Sequence, residues 1–242
     1  MKSGFFITGT DTDVGKTIAT CSLLHAFSQK NLKTLGVKPL ASGADYTPEG
    51  LKNQDALMLQ EWSTLKLPYS HVNPIVFQKP IAPHLAAAQS NEILSVENIL
   101  SRCHALTQDY GADLTLVEGA GGWKVPLNDQ ETMADLAMHL NFHVIFVVGL
   151  RLGCLSHALL TYESILRKGL PIAGWIANHI EEDFSYAIKN IETLKQFISF
   201  PLIGVIPYQK KPNPAFLSNY LDTSSLFSKT PSLSKRETSP LP

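Results

Sequence analysis

Apolar runs of strand length alternate along the chain with stretches whose apolar residues recur at helical spacing. Six runs read as strands: residues 5–8, 34–40, 113–118, 143–150, 172–178 and 202–206. Between them, residues 18–29 carry Leu23, Leu24 and Phe27 on one helical face, and 95–109 carry Ile99, Leu100 and Leu106. Residues 53–62, 132–140, 156–168 and 184–197 read as further helices. The strands are nearly continuous apolar runs rather than alternating ones. This is the mark of a parallel sheet covered by helices on both faces. Residues 41–50 read as a polar loop. Residues 68–83, with Pro68, Pro74, Pro80 and Pro83 beside Tyr69 and Phe77, read as a long irregular segment that walls a pocket. No internal repeat interrupts this alternation. One α/β domain is expected over residues 1–221. From residue 222 onward Ser, Thr, Pro and Lys leave too little apolar surface to pack, so 222–242 read as a flexible tail.

The first strand runs into Gly9-Thr10-Asp11-Thr12-Asp13-Val14-Gly15-Lys16-Thr17, and a helix follows directly. Strand, glycine-bounded loop and Gly-Lys-Thr at a helix start form a phosphate-binding loop, the P-loop. Backbone N–H groups and the positive end of the helix dipole converge where an anion can sit. Lys16 reaches outer phosphates there, and the Thr17 hydroxyl suits a magnesium ion. Five residues separate Gly9 from Gly15, one more than the usual four, so the loop is an extended variant.

Length and composition narrow the class. The chain has 242 residues, the size of one α/β domain, and a formal net charge of −1. That charge supplies no field to draw nucleic acid or an anionic membrane, and basic residues do not interleave with aromatics. No apolar run approaches the ~18 residues of a membrane span, and a cytoplasmic location is expected. Three scattered cysteines, Cys21, Cys103 and Cys154, lack the spacing of disulfides or zinc ligands. The eight histidines show no metal spacing either.

Ligands of open α/β sheets bind beyond the carboxyl ends of the strands. That edge should gather Lys16, Thr17, Lys38 from the second strand, Glu118 from the third and Asn178 from the fifth, with Asp55 following closely. Glu118 ends an apolar run and leads into Gly119-Ala120-Gly121-Gly122, which suits a carboxylate near a metal with backbone close to phosphate. Lysines that neutralise charge and carboxylates that hold a metal are what phosphoryl transfer needs.

The chain resembles the dethiobiotin synthetase family, ATP-dependent carboxylases that close the ureido ring in biotin synthesis. The resemblance is carried by the extended P-loop from Gly9 to Thr17, by Val37-Lys38-Pro39, and by Thr47-Pro48-Glu49-Gly50-Leu51 with Asp55. It continues through Asn73-Pro74, Pro83-His84, Val117 to Trp123, Leu152-Gly153-Cys154 and Ala177-Asn178. It implies that Lys16, with Asp13, Val14, Gly15, Thr17 and Ile18, holds the phosphates, and that Thr17, Asp55 and Glu118 surround Mg2+. Gly119, Ala120 and Gly121 would line the nucleotide, with Asn178, His179, Pro207, Tyr208 and Gln209 around the adenine. Lys38 would face the carbamate and the transferring phosphoryl group, with Ser42 beside the substrate, 7,8-diaminopelargonate. The family works as a homodimer in which the segment around Gly153 to Ser156 enters the neighbour's pocket, with Ser156 on the substrate. Three positions differ from common family residues: Asp13 stands for Glu, Ser156 for Asn and Asn190 for Tyr.

The resemblance implies ring closure of the diamine with CO2 and ATP through a carbamate and a carbamic–phosphoric anhydride. The alternative is a regulatory ATPase of the ParA/MinD type. Such proteins carry an extra lysine early in the P-loop, and Gly9 to Val14 has none. An amidoligase of the cobyrinate or CTP type would need a glutaminase domain, for which the length leaves no room, or a partner subunit, and a mere nucleotide-binding module would not need Lys38 and Glu118.

Overall fold

The structure, a computed structural model, describes residues 3–227. Its elements in chain order are β1 (Gly4–Gly9), α1 (Lys16–Ser28), β2 (Thr34–Val37), β3 (Leu40–Ser42), β4 (Asp45–Thr47), β5 (Gly50–Lys52), α2 (Gln54–Trp62), α3 (Tyr69–Val72), β6 (Ile75–Phe77) and α4 (Pro83–Gln89). They continue as α5 (Val96–Arg102), α6 (His104–Thr107), β7 (Leu114–Gly122), α7 (Met133–Leu140), β8 (His143–Leu150), α8 (Cys154–Arg167), β9 (Ile172–His179), α9 (Ala187–Phe197), β10 (Leu202–Ile206), α10 (Pro214–Leu217) and α11 (Ser224–Phe227).

The six expected strands form one sheet in the order β10-β9-β8-β1-β7-β2, parallel at every pairing. Alternate residues of each strand face opposite sides. Phe5 and Ile7 of β1 therefore join Leu116, Ile145 and α1 residues Leu23, Leu24 and Phe27 in one core. Phe6 joins Val117, Phe146, Trp175 and the apolar faces of α7, α8 and α9 in the other. The chain leaves β1 for β2 on one side and later reaches β8 on the other, so the order reverses around β1. A crevice opens at such a switch point, and here the P-loop fills its floor.

Local chemistry accounts for where the elements depart from expectation. β2 stops at Val37 instead of reaching residue 40. Pro39 has no N–H to donate, and the Lys38 N–H turns aside to the Val72 carbonyl at 2.9 Å. The loop expected over 41–50 begins inside β3, which pairs with β6 from the proline-rich segment, and runs into the hairpin β4–β5, which ends at Lys52. The helix expected over 95–109 breaks at Cys103 into α5 and α6. α4 was not foreseen; Pro83 starts it at a position where its missing N–H costs nothing. β7 runs past Glu118 to Gly122, so Glu118 lies within the strand and not at its end.

The flexible tail expected from residue 222 does not begin there. Thr223, Leu226 and Phe227 are buried, and the Phe227 ring meets Phe27 edge-on with centroids 5.7 Å apart. The rest of that expectation, residues 228–242, lies outside the described residues. Among the described residues no helix is long and apolar enough to cross a membrane.

Candidate nucleotide and substrate site

Beyond the carboxyl ends of β1, β2 and β7 lies a cleft of about 820 Å³. Its floor is the P-loop, whose shape is set by backbone: Gly15 sits at φ 84°, and a Cβ there would come 2.0 Å from the Asn178 amide nitrogen. Asp13 is also left-handed, at φ 56°. No side chain caps α1, and its first turn, Lys16-Thr17-Ile18, contains no acid. An uncapped helix start opening on a cleft is a ready anion site.

Lys16, nearly buried, donates to the Asp11 carbonyl at 3.0 Å. Burial holds its ammonium below the ordinary lysine range and the Lys38 charge works the same way, against the pull of Glu118 and Asp55. Lys38, 5% exposed, is clamped between two carboxylates: Nζ lies 2.6 Å from Asp55 Oδ2 and 2.7 Å from Glu118 Oε1. Burial alone would lower the Lys38 pKa, but the two anions overcome it and raise it. Burial likewise would raise Asp55, whose carboxyl is held low by Lys38 and by the Thr17 hydroxyl.

Glu118 is 0% exposed. Its Oε1 accepts from Thr17 Oγ1 at 2.8 Å as well as from Lys38, while Oε2 is buried without a partner. A buried carboxylate oxygen with nothing to bind is costly unless a ligand satisfies it. Two carboxylates and a hydroxyl suit a hard, oxygen-seeking cation such as Mg2+ that takes its other ligands from phosphate and water. The donor set thus fits the metal.

Three neighbours have no site role in the sequence reading. Asn73 donates to the Lys38 carbonyl at 2.6 Å and accepts from Tyr69, whose hydroxyl also accepts from the Asn53 N–H. This chain fixes the Lys38 backbone from the proline-rich segment. Arg151, at the end of β8, pairs with the Asp11 carboxylate of the P-loop. It could have been found by the rule that picked Lys38, as a cation ending an apolar strand beside β1.

Most of the predicted site residues converge. Asp13, Gly15, Lys16, Thr17, Ile18, Lys38, Ser42, Asp55, Ala120 and Gly121 line the cleft together. Ser42 Oγ is buried there without a partner. Val14 and Gly119 lie behind the lining, Val14 buried and Gly119 against the Phe6 ring. Asn178 and His179 end β9, next to Pro207, Tyr208 and Gln209 after β10, on the same sheet edge but outside the cleft lining. Asn178 donates to the Val14 carbonyl at 2.9 Å and so tacks down the P-loop. Ser156 stands exposed in the first turn of α8 and does not line the cleft of its own chain.

The parallel sheet and the P-loop at its switch point define a P-loop nucleotide-binding protein, and residues 3–215 match the family described as AAA domain. The fold is shared with MinD from Pyrococcus horikoshii complexed with Mg-ADP (TM-score 0.54, 15% identity, 97% of this chain and 92% of that one). It is shared also with a ParA family ATPase from Chlorobium tepidum (TM-score 0.53, 16% identity, 97% and 96%). The chain is 48% identical over 225 residues to the ATP-dependent dethiobiotin synthetase BioD of Cellvibrio japonicus, covering 93% of this chain and 98% of that protein. It is 46% identical to that of Marinobacter nauticus over 93% and 98%. The chain belongs to the ATP-dependent dethiobiotin synthetase family.

Proposed function

We propose that this protein is an ATP-dependent ligase that carboxylates 7,8-diaminopelargonate with CO2 and closes the ring to dethiobiotin, releasing ADP and phosphate, in biotin synthesis. The observation that carries the reading is Lys38, buried between Asp55 and Glu118 beside a P-loop, in a cleft with room for phosphates and a second substrate. One amine of the substrate takes up CO2 to give a carbamate. A carbamate oxygen then attacks the γ-phosphorus of ATP, the bond to ADP breaks, and a carbamic–phosphoric anhydride forms. The second amine attacks the carbonyl carbon, loses its proton and expels phosphate.

Mg2+, held by Thr17, Asp55 and Glu118, would neutralise charge on the transferring phosphoryl group. The chain's own work is placement and charge. The α1 N-terminus and Lys16 hold the phosphates, with Asp13, Val14 and Gly15 shaping the loop around them. Lys38 presents its ammonium where charge develops on carbamate and phosphoryl oxygens. The unpartnered Ser42 hydroxyl points a donor at the substrate. Asn178, His179, Pro207, Tyr208 and Gln209 line the adenine side. Holding both amines at one carbon is the larger contribution, since effective molarities correspond to ~7–11 kcal/mol.

The site is completed in a homodimer. Ser156 does not line the cleft of its own chain, and the nearby Leu152 is 91% exposed. Three buried free cysteines accord with the reducing cytoplasm. Mass spectrometry of a mixture of ATP, Mg2+, bicarbonate and diaminopelargonate with the protein tests the reading. Dethiobiotin with ADP in equal amounts is expected. ADP formed at one rate with or without the diamine would sink it.

A further inference from the structure

The oxygens assigned above to the metal already hold a cation. We propose that Lys38 is the resident counter-ion of the metal site, that Lys38 and the metal exclude one another there, and that loading the metal releases the Lys38 ammonium into the cleft. This rests on the metal assignment under Proposed function and goes beyond it.

The geometry carries the argument. Lys38 Nζ bonds Asp55 Oδ2 at 2.6 Å and Glu118 Oε1 at 2.7 Å, so one ammonium bridges both carboxylates. Glu118 Oε1 also takes the Thr17 hydroxyl, leaving the buried Oε2 with no partner. Glu118 is wholly buried and Asp55 half-exposed beside it, so the buried carboxylate requires a cation at its side. The other nearby ammonium, Lys16, is turned to the Asp11 carbonyl. A hard cation held by Asp55 and Glu118 would take the carboxylate oxygens that Nζ now bonds. A divalent ion in contact with the buried Lys38 ammonium would be repelled by it.

The two therefore alternate. Release requires no strand movement, because the Lys38 backbone is pinned by Asn73 and by the Val72 carbonyl. The lysine stem swings on its own rotors into a cleft that it already lines. The consequence is an order of loading: Lys38 becomes available to the carbamate only once the metal is in place.

Crystals of the full chain soaked with ADP plus EDTA, and with ADP plus MnCl2, test this without activity. With ADP and EDTA both ion pairs should persist. With Mn2+ bound, Nζ should lie beyond about 4 Å, the ion-pair limit, from Glu118 Oε1. Both pairs intact beside a bound Mn2+, or both already broken by ADP alone, would overturn the proposal. In solution, electron paramagnetic resonance should show Lys38→Met binding Mn2+ about tenfold more tightly than the parent, the scale of one removed buried like charge. Lys38→Arg, which keeps the charge, should show no such gain. Equal affinity in Lys38→Met and parent would refute the competition. Absence of Mn2+ binding in every variant would refute it together with the metal assignment, while dethiobiotin in the product assay would leave the activity standing.

Discussion

Removing the Lys38 ammonium strips the one cation that Asp55 and the wholly buried Glu118 share in ion pairs. Breaking a buried pair by deleting one partner costs about 3–5 kcal/mol, because a charge is left uncompensated. Lys38→Met should therefore lower Tm by on the order of 10 °C in a domain of this size, as read by calorimetry without metal. Its kcat should fall by on the order of 10²–10³, the scale for one preorganised donor. Lys38→Arg should recover stability better than turnover, since a planar fork fits the carboxylates but not the place of a compact ammonium. Wild-type kcat in Lys38→Met would reduce the residue to a structural ion. Gly15 is governed by shape instead of charge. With φ at 84° and the Asn178 amide 2.0 Å from any Cβ, Gly15→Ala must move the P-loop or Asn178. Nucleotide affinity, measured by calorimetric titration, should drop at least about tenfold, and unchanged affinity would show that the loop tolerates the shift.

Among the elements, α7 offers a charge-dependent prediction. Its Asp135 closes a capping box with Thr132 and pairs with Lys168 at 2.6 Å. Burial pushes the Asp135 carboxyl up, but hydrogen bonds from Lys168 and from the Thr132 hydroxyl and N–H prevail and carry it from 3.8 down to about 2. A lowered acid stabilises the fold above its unfolded pKa, and this contribution fades as pH falls from about 3.8 toward about 2. Asp135→Asn should flatten the melting profile across that window, and a profile that keeps the wild-type slope would assign the effect to other acids. At the far end of the chain, α11 packs where a tail was expected. Leu226→Ala should cost about 2–4 kcal/mol, as buried leucines do. A Tm within a degree of the parent would mean that α11 does not stay docked. The difference from expectation is instructive. The six sheet strands were legible as nearly continuous apolar runs, and α1 from its spaced apolar residues and the motif that opens it. α11 is four residues long, and its burial is decided by the Phe27 and Lys30 surface it meets. α4, β3 and β6 were illegible for the same reason, being too short to show a period. The site followed the same division: Lys16, Lys38 and Glu118 were found from strand ends and motif, whereas Asn73 and Tyr69 act on Lys38 through tertiary contacts that no local pattern encodes.

At the scale of the whole molecule, the proposed homodimer would join two surfaces to form each site. The cleft over β1, β2 and β7 holds the phosphate and carbamate chemistry. Leu152 after β8 and Ser156 in the first turn of α8 are exposed and do not line it. If the second surface serves the first only across a two-fold axis, residues of the two classes belong to different chains of each site. Lys38→Met should abolish turnover in its own cleft. Ser156→Asp should abolish it in the partner's, by setting a charge against the substrate carboxylate. Each variant alone should be nearly inactive. In a remixed sample half the dimers are mixed, and each mixed dimer holds one site with wild-type Lys38 and wild-type Ser156. Activity should return to about a quarter of wild type, measured as dethiobiotin formed after unfolding and refolding the variants together. A mixture no more active than its components would place Lys38 and Ser156 in the same chain's site, or leave Ser156 outside the site altogether.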